Sequence, residues 1–283
     1  MNTANKDKKY TQYVKHLSKQ KSLWKANIRR VIPIPLSTTL SAPIFILGSS
    51  RSGTTILGKV LGASSDLCHF TENDIVRSHM IGMVENPESV EEQLPKLAKT
   101  LVRLSGVRSE KRLLEKSPGH SLIAKMLADY FVDAKFLHIV RDGRDVAFSM
   151  LGHEWILQGL KGERKLFWFR LLPEQFQQQW QELDLWERGV LRWAVYVSQA
   201  RQIAGYEDRY LEIRYDELCH NPQICLEGIL SFLGLPVFSE LQKYSAVIKP
   251  SSNNWKNKGL TTNQLKFYER VISEFNLSDL YIP

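Results

Sequence analysis

Eight consecutive residues, Gly48-Ser49-Ser50-Arg51-Ser52-Gly53-Thr54-Thr55, concentrate two glycines, five hydroxyls and one guanidinium. Such a stretch can turn its backbone N–H groups onto one point, which makes an anion site where a helix begins. Gly48 and Gly53 stand in register with the glycines of the nucleoside-triphosphate motif G-x-x-x-x-G-K-[ST], but Thr54 takes the place of its lysine. That lysine serves the β- and γ-phosphates. The loop therefore reads as a phosphate site without triphosphate chemistry, with Arg51 as the remaining cation. Three further clusters carry charge over a few residues: Glu115-Lys116-Ser117-Pro118, Arg141-Asp142-Gly143-Arg144-Asp145 followed by Ser149, and Arg214-Tyr215-Asp216.

The elements that must position these clusters can be read from apolar periodicity. Ile44-Phe45-Ile46-Leu47 has the length of a strand buried on both faces, and Ile56, Leu57, Val60 and Leu61 follow the loop at helical spacing. Further strands are expected at Arg112–Glu115, Lys135–Val140 and Tyr210–Ile213. Helices are expected over 74–84, 89–104 and 120–131, from Val146, over 186–204 with Gly205 as its cap, and over 222–233. Thr261 and Gln264 form a capping-box pattern that opens a last helix, to about Phe275. Strands alternating with helices predict a three-layer α/β fold, a mostly parallel sheet flanked by helices. Ligands of such sheets sit beyond the carboxyl ends of the strands, and the four clusters are those four ends. Residues 151–185 differ in texture, with Trp155, Phe167, Trp168, Phe169, Phe176 and Trp180 among polar neighbours. They read equally as a lid, or insertion, over the site and as a peripheral helical hairpin.

Ser49–Thr55 (SSRSGTT) and Val140–Met150 (VRDGRDVAFSM) resemble, in order, two signatures of the sulfotransferases that use 3′-phosphoadenosine-5′-phosphosulfate (PAPS). Glu115–Pro118 (EKSP) and Ile213–Pro236 add weaker matches, and the likeness covers about residues 43–270. The resemblance implies a P-loop-NTPase-like fold, closer in pattern to the tyrosylprotein and carbohydrate branch than to the cytosolic one. It implies that the amides of Ser49, Ser50, Ser52 and Gly53, with the Thr54 and Thr55 hydroxyls, hold the 5′-phosphate. Arg51 would neutralise the bridging oxygen, and Arg141 with Ser149 would hold the 3′-phosphate. Tyr215 corresponds to a tyrosine near the nucleotide, and Lys256 and Lys258 belong to a late basic loop closing over the 3′-phosphate. Lys116 would stand near the transferring sulfuryl, whereas Arg144 and Asp145 would tie their turn together. Where the cytosolic branch carries a catalytic histidine this chain has Pro118, so Glu72 is the expected base, with His120 and His69 as other candidates. The product nucleotide would be adenosine 3′,5′-bisphosphate (PAP), with no metal required. The acceptor would be a hydroxyl on a small molecule, carbohydrate, lipid or peptide, with an amine as second choice. Rival readings are a variant P-loop nucleotide phosphotransferase and a non-catalytic nucleotide-binding or membrane-docking paralogue.

Charge separates the chain into two parts. Residues 1–30 carry nine of the 38 basic residues and one of the 30 acidic, leaving 29 of each in the remainder. The net charge of +8 therefore belongs to a tail, and no nucleic-acid partner is expected. Residues 1–42 form a basic extension and 43–283 a sulfotransferase domain. Tyr10, Val14, Leu17, Trp24 and Ile28 recur at roughly helical intervals, so the tail could lie on an anionic membrane surface or pack on the domain. Cys68, Cys219 and Cys225 fit no metal spacing and imply free thiols in a reducing, cytoplasmic setting.

Overall fold

The computed structural model describes residues 40–106, 111–162, 166–249 and 254–281. The basic helix expected near the N-terminus lies outside the described residues. Strand β1 (Ile44–Leu47) has no side chain exposed to solvent, as its unbroken apolar run requires. Helix α1 (Thr54–Leu61) follows the loop, and β2 (Leu67–Thr71) comes next. Helix α2 (Asp74–Glu85) is capped by Asn73, whose side chain accepts from the Ile75 and Val76 amides. Helix α3 (Val90–Ser105) ends at Gly106 in the left-handed conformation, and leads to β3 (Arg112–Lys116). A 3₁₀ turn (Pro118–Ile123), α4 (Ala124–Tyr130), β4 (Lys135–Val140) and α5 (Gly143–Leu151) complete the first half.

The second half holds α6 (Glu154–Leu160), α7 (Glu174–Gln178), the long α8 (Leu185–Arg201) and β5 (Tyr210–Arg214). Helices α9 (Tyr215–His220), α10 (Pro222–Leu233), α11 (Leu241–Ser245), α12 (Asn254–Lys258) and α13 (Thr262–Glu274) follow. All strand pairings are parallel, in the order β2-β3-β1-β4-β5. The chain leaves β1 first toward β3 and β2, then crosses to β4 and β5. The loop after β1 thus opens at the point where the winding reverses, the position where such sheets bind ligands. Alternate residues of β1 serve opposite layers. Phe45 and Leu47 join the larger core with α2, α3, α4, α5 and α8, while Ile44 and Ile46 face α1, α9 and α10.

Three expectations need correction. The sheet has a fifth strand, β2, at its edge; its mixed sequence Leu-Cys-His-Phe-Thr gives little apolar signal because only Leu67 is fully buried. The helix expected over 120–131 begins as a 3₁₀ turn, because Pro118 opens it one residue after β3 and Ser121 is drawn to Gly48, whose amide donates to its hydroxyl at 2.8 Å. Helix α8 stops at Arg201 rather than near Gly205, and single turns then carry the chain to β5. Arg201 is engaged there by Glu212 of β5 and by Asp279. Within 151–185, Trp168, Phe176 and Trp180 are buried in the larger core, which anchors α6 and α7, so the segment packs as part of the domain rather than as a peripheral hairpin.

Candidate active site

The loop after β1 takes its shape from two backbone conformations that side chains disfavour. Gly48 has φ 146° and Gly53 φ 100°, and a Cβ on Gly53 would stand 2.5 Å from the Tyr215 ring. Arg51, at φ 77°, is a non-glycine residue in the same region. Gly53 caps α1 without a side-chain hydrogen bond, and no acidic residue stands in the first turn of α1. Its leading amides are left for an anion. Ser49 and Ser52 are fully buried, and the Ser52 hydroxyl has no hydrogen-bond partner among the described residues. A cradle with an orphaned buried donor fits a phosphate.

Beside the loop, β4 and α5 supply cations and a hydroxyl. The Arg51 Nε donates to Ser149 Oγ at 3.1 Å, and Arg141 reaches the Arg51 carbonyl at 3.4 Å. Arg141 also pairs with Asp145 at 3.2 Å and lies 4.8 Å above the Tyr215 ring. Burial, with a hydrogen bond to Cys219, pushes the Tyr215 phenol up to about 12, so it stays neutral. Arg144 is buried in an ion pair with Asp142 at 2.6 Å, and its guanidinium stacks 3.7 Å from the Trp255 ring centre. Asp145 accepts from the Trp255 amide at 3.1 Å. These contacts dock α12 against α5, where Lys258 lies over Phe148. The turn thus ties a second segment as well as itself.

On the other side of the loop, β2 and β3 end at a cavity of about 460 Å³. Ser50, Glu72, His120, Arg77, Arg192 and Tyr196 line it, with Trp155 and Phe167 as aromatic walls. Register places Thr71 opposite Lys116, so Glu72 emerges next to the lysine; its amide donates to the Lys116 carbonyl at 3.2 Å. The nearly buried Lys116 ammonium pairs with the exposed Glu72 carboxylate. His120 is buried, its Nδ1 2.6 Å from Glu115 Oε2, and Ser117 donates to the other Glu115 oxygen at 2.6 Å. His120 Nε2 has no partner among the described residues. His69 does not line this cavity: it packs beneath Gly58 and Gly62 of α1. Burial, reinforced by Lys116, lowers its pKa and keeps it uncharged.

The two halves share Ser50, whose loop carries Arg51 toward Ser149 while Ser50 itself faces Glu72 and His120. The Sulfotransferase domain family profile matches residues 41–276. The chain belongs to the sulfotransferase family. A protein-tyrosine sulfotransferase of Drosophila melanogaster is 26% identical over 208 residues, 68% of this chain and 38% of that protein. The chain thus spans under two fifths of that relative's length. The sulfotransferase domain from the curacin biosynthetic pathway aligns with a TM-score of 0.59 at 20% identity, covering 87% of this chain and 100% of that one. A mouse sulfotransferase complexed with PAP aligns at 0.50 and 17% identity, covering 84% and 86%. At such identities the likeness is one of fold.

Sequence reasoning passed over several residues of the candidate site. Glu115 and Ser121 are buried polar residues that hold His120 and the loop. Arg77, Arg192 and Tyr196 were hidden within helices. Arg192 and Tyr196 alone left a trace: they interrupt, four residues apart, the apolar pattern of a helix buried on nearly every side.

Proposed function

We propose that this sulfotransferase transfers a sulfuryl group from PAPS to a hydroxyl acceptor by in-line displacement. The observation that carries the reading is the shared loop: one side of it meets Arg141 and Ser149, the other opens on the cavity lined by Glu72, which pairs with Lys116. When bound, the donor supplies an activated sulfuryl group on its 5′-phosphate. The loop amides with Thr54 and Thr55 would hold that phosphate, and Arg141, Ser149, Lys256 and Lys258 the 3′-phosphate. Tyr215, stacked on Arg141, would border the nucleotide. Arg51 and Lys116 would neutralise charge that accumulates as the nucleotide leaves. Glu72, oriented by Lys116, would take the acceptor proton.

A second reading of the base rests on one specific feature. His120 lines the same cavity with its Nδ1 2.6 Å from Glu115 Oε2, and its Nε2 makes no hydrogen bond among the described residues. That arrangement orients an imidazole as a base requires.

Thermal shift with PAP, against ATP and Mg²⁺, tests the donor assignment. PAP is expected to raise the melting temperature and ATP with Mg²⁺ to leave it unchanged; the reverse pattern would return the site to a triphosphate enzyme. Transfer of radiolabelled sulfuryl to phenolic, sugar and peptide hydroxyls then tests turnover.

A further inference from the structure

The cavity beside the loop contains a cation that the chemistry above does not use. Arg192, in the middle of α8, is 5% exposed and lines the inner part of the cavity. One of its terminal nitrogens donates to the Tyr196 hydroxyl at 3.3 Å, and its Nε has no partner among the described residues. Its other contacts are the faces of Tyr196, at 4.8 Å, and Trp168, at 5.7 Å. No carboxylate pairs with it among the described residues. Every other buried arginine of the described residues, Arg141 and Arg144, has its aspartate.

A guanidinium cannot shed its charge on burial, as a lysine or histidine can. Ring faces compensate part of the lost hydration and leave the in-plane donors unfilled. The same corner gathers more positive potential. Arg77 stacks on Trp155 and Phe167 at the cavity wall, and the fields of Arg192 and Arg77 both favour the ionised Tyr196 phenol, although burial raises its pKa overall. The Tyr196 oxygen accepts from Arg192 and keeps its own proton to donate. An anion at this corner would fill what the protein leaves open.

We propose that the acceptor of this sulfotransferase is a hydroxy acid, whose carboxylate is held by Arg192 and Tyr196 at the inner end of the cavity while its hydroxyl faces Glu72 and Lys116 at the mouth. The inference rests on the sulfotransferase reading of the same site and adds the acceptor class. A carboxylate matches the planar donor edge of a guanidinium, and its body would lie between the aromatic walls of Trp155 and Phe167. The cavity, about 460 Å³, suits a small molecule.

Two phenols that differ in one charge test it: 3-(4-hydroxyphenyl)propionate and its methyl ester. The wild-type protein is expected to prefer the acid in kcat/KM on the order of 10- to 100-fold, because the ester strands the buried donors. Arg192→Met should bring the acid-to-ester ratio to about 1, and Tyr196→Phe should lower it. Calorimetric binding of both compounds to the PAP-loaded protein reads the same preference without turnover. Arg192→Met should also leave the melting temperature of the ligand-free protein unchanged or raised, since it removes an uncompensated buried charge; a clear drop would mark Arg192 as a structural residue and overturn the proposal. Equal handling of acid and ester by a wild-type protein that binds PAP overturns the acceptor assignment alone. Absence of PAP binding together with absence of transfer overturns the sulfotransferase chemistry and this inference with it.

Discussion

Single residues carry the anion site, and their substitution should have sharply local effects. Gly53 is confined on two counts, a φ of 100° and the Tyr215 ring at 2.5 Å from any added Cβ. Gly53→Ala is expected to destabilise the fold by about 1–3 kcal/mol, measured by urea unfolding. Adding Tyr215→Ala should recover part of that loss, because one of the two causes is then gone. Glu72 and His120 can be separated at the same scale. Glu72→Gln should lower kcat by roughly 10²–10⁴-fold with little change in PAP affinity. His120→Ala should do so instead if the Glu115-held imidazole is the base, and steady-state kinetics on both variants decides. Glu72 was named from the family resemblance, and in the fold it stands directly after β2. Its lysine partner, 44 residues later, was named for another role, and the ion pair between them is a product of strand register.

At the scale of elements, α5 and α12 form a unit that sequence reading divided. Arg144 and Asp145 were expected to steady their own turn, and Arg144 does pair with Asp142. They also hold Trp255, one by its ring and the other by its amide. Lys256 and Lys258 are delivered by that docking. Trp255→Ala should therefore weaken PAP binding by about 10- to 30-fold, the scale of one desolvated cation–π contact, as read by calorimetry. Unfolding free energy should change less, because α12 is a short surface helix whose lysines are exposed. The capping box of α13 and the extent of α10 match the expected pattern, since caps are set by residues three apart. Strand β2 escaped notice for the opposite reason. An edge strand has one paired side and a half-buried face, so alternation is weak.

Across the whole molecule, a polar network ties the far edge of the sheet to the C-terminal region. Arg201 bridges Glu212 and Asp279 at 2.6 and 2.8 Å, while Tyr210 donates to Glu212 at 2.9 Å. Burial works to raise the Glu212 pKa, but the nearby His138 and the hydrogen bonds from Arg201 outweigh it and hold the carboxyl below its ordinary 4.5. The folded state thus binds that proton less readily than the unfolded chain. Its stabilising contribution is complete above about pH 4.5 and is lost as the pH falls toward the folded value. Glu212→Gln is expected to cost about 1–3 kcal/mol at pH 7 and progressively less below pH 4.5, measured by chemical denaturation across that range. Among the described residues no helix is long and apolar enough to cross a membrane. The sequence by itself determined the glycine- and serine-rich loop, four of the five strands and the cations at their ends. Each of these is local: a run of apolar residues, a pair of glycines, a charge that follows a strand. Tertiary structure alone decided that β2 lies beside β3 and brings Glu72 to Lys116, and that Arg192 is buried without a counter-charge among the described residues. Pairing and desolvation depend on residues far apart in the chain, so no window of sequence contains them.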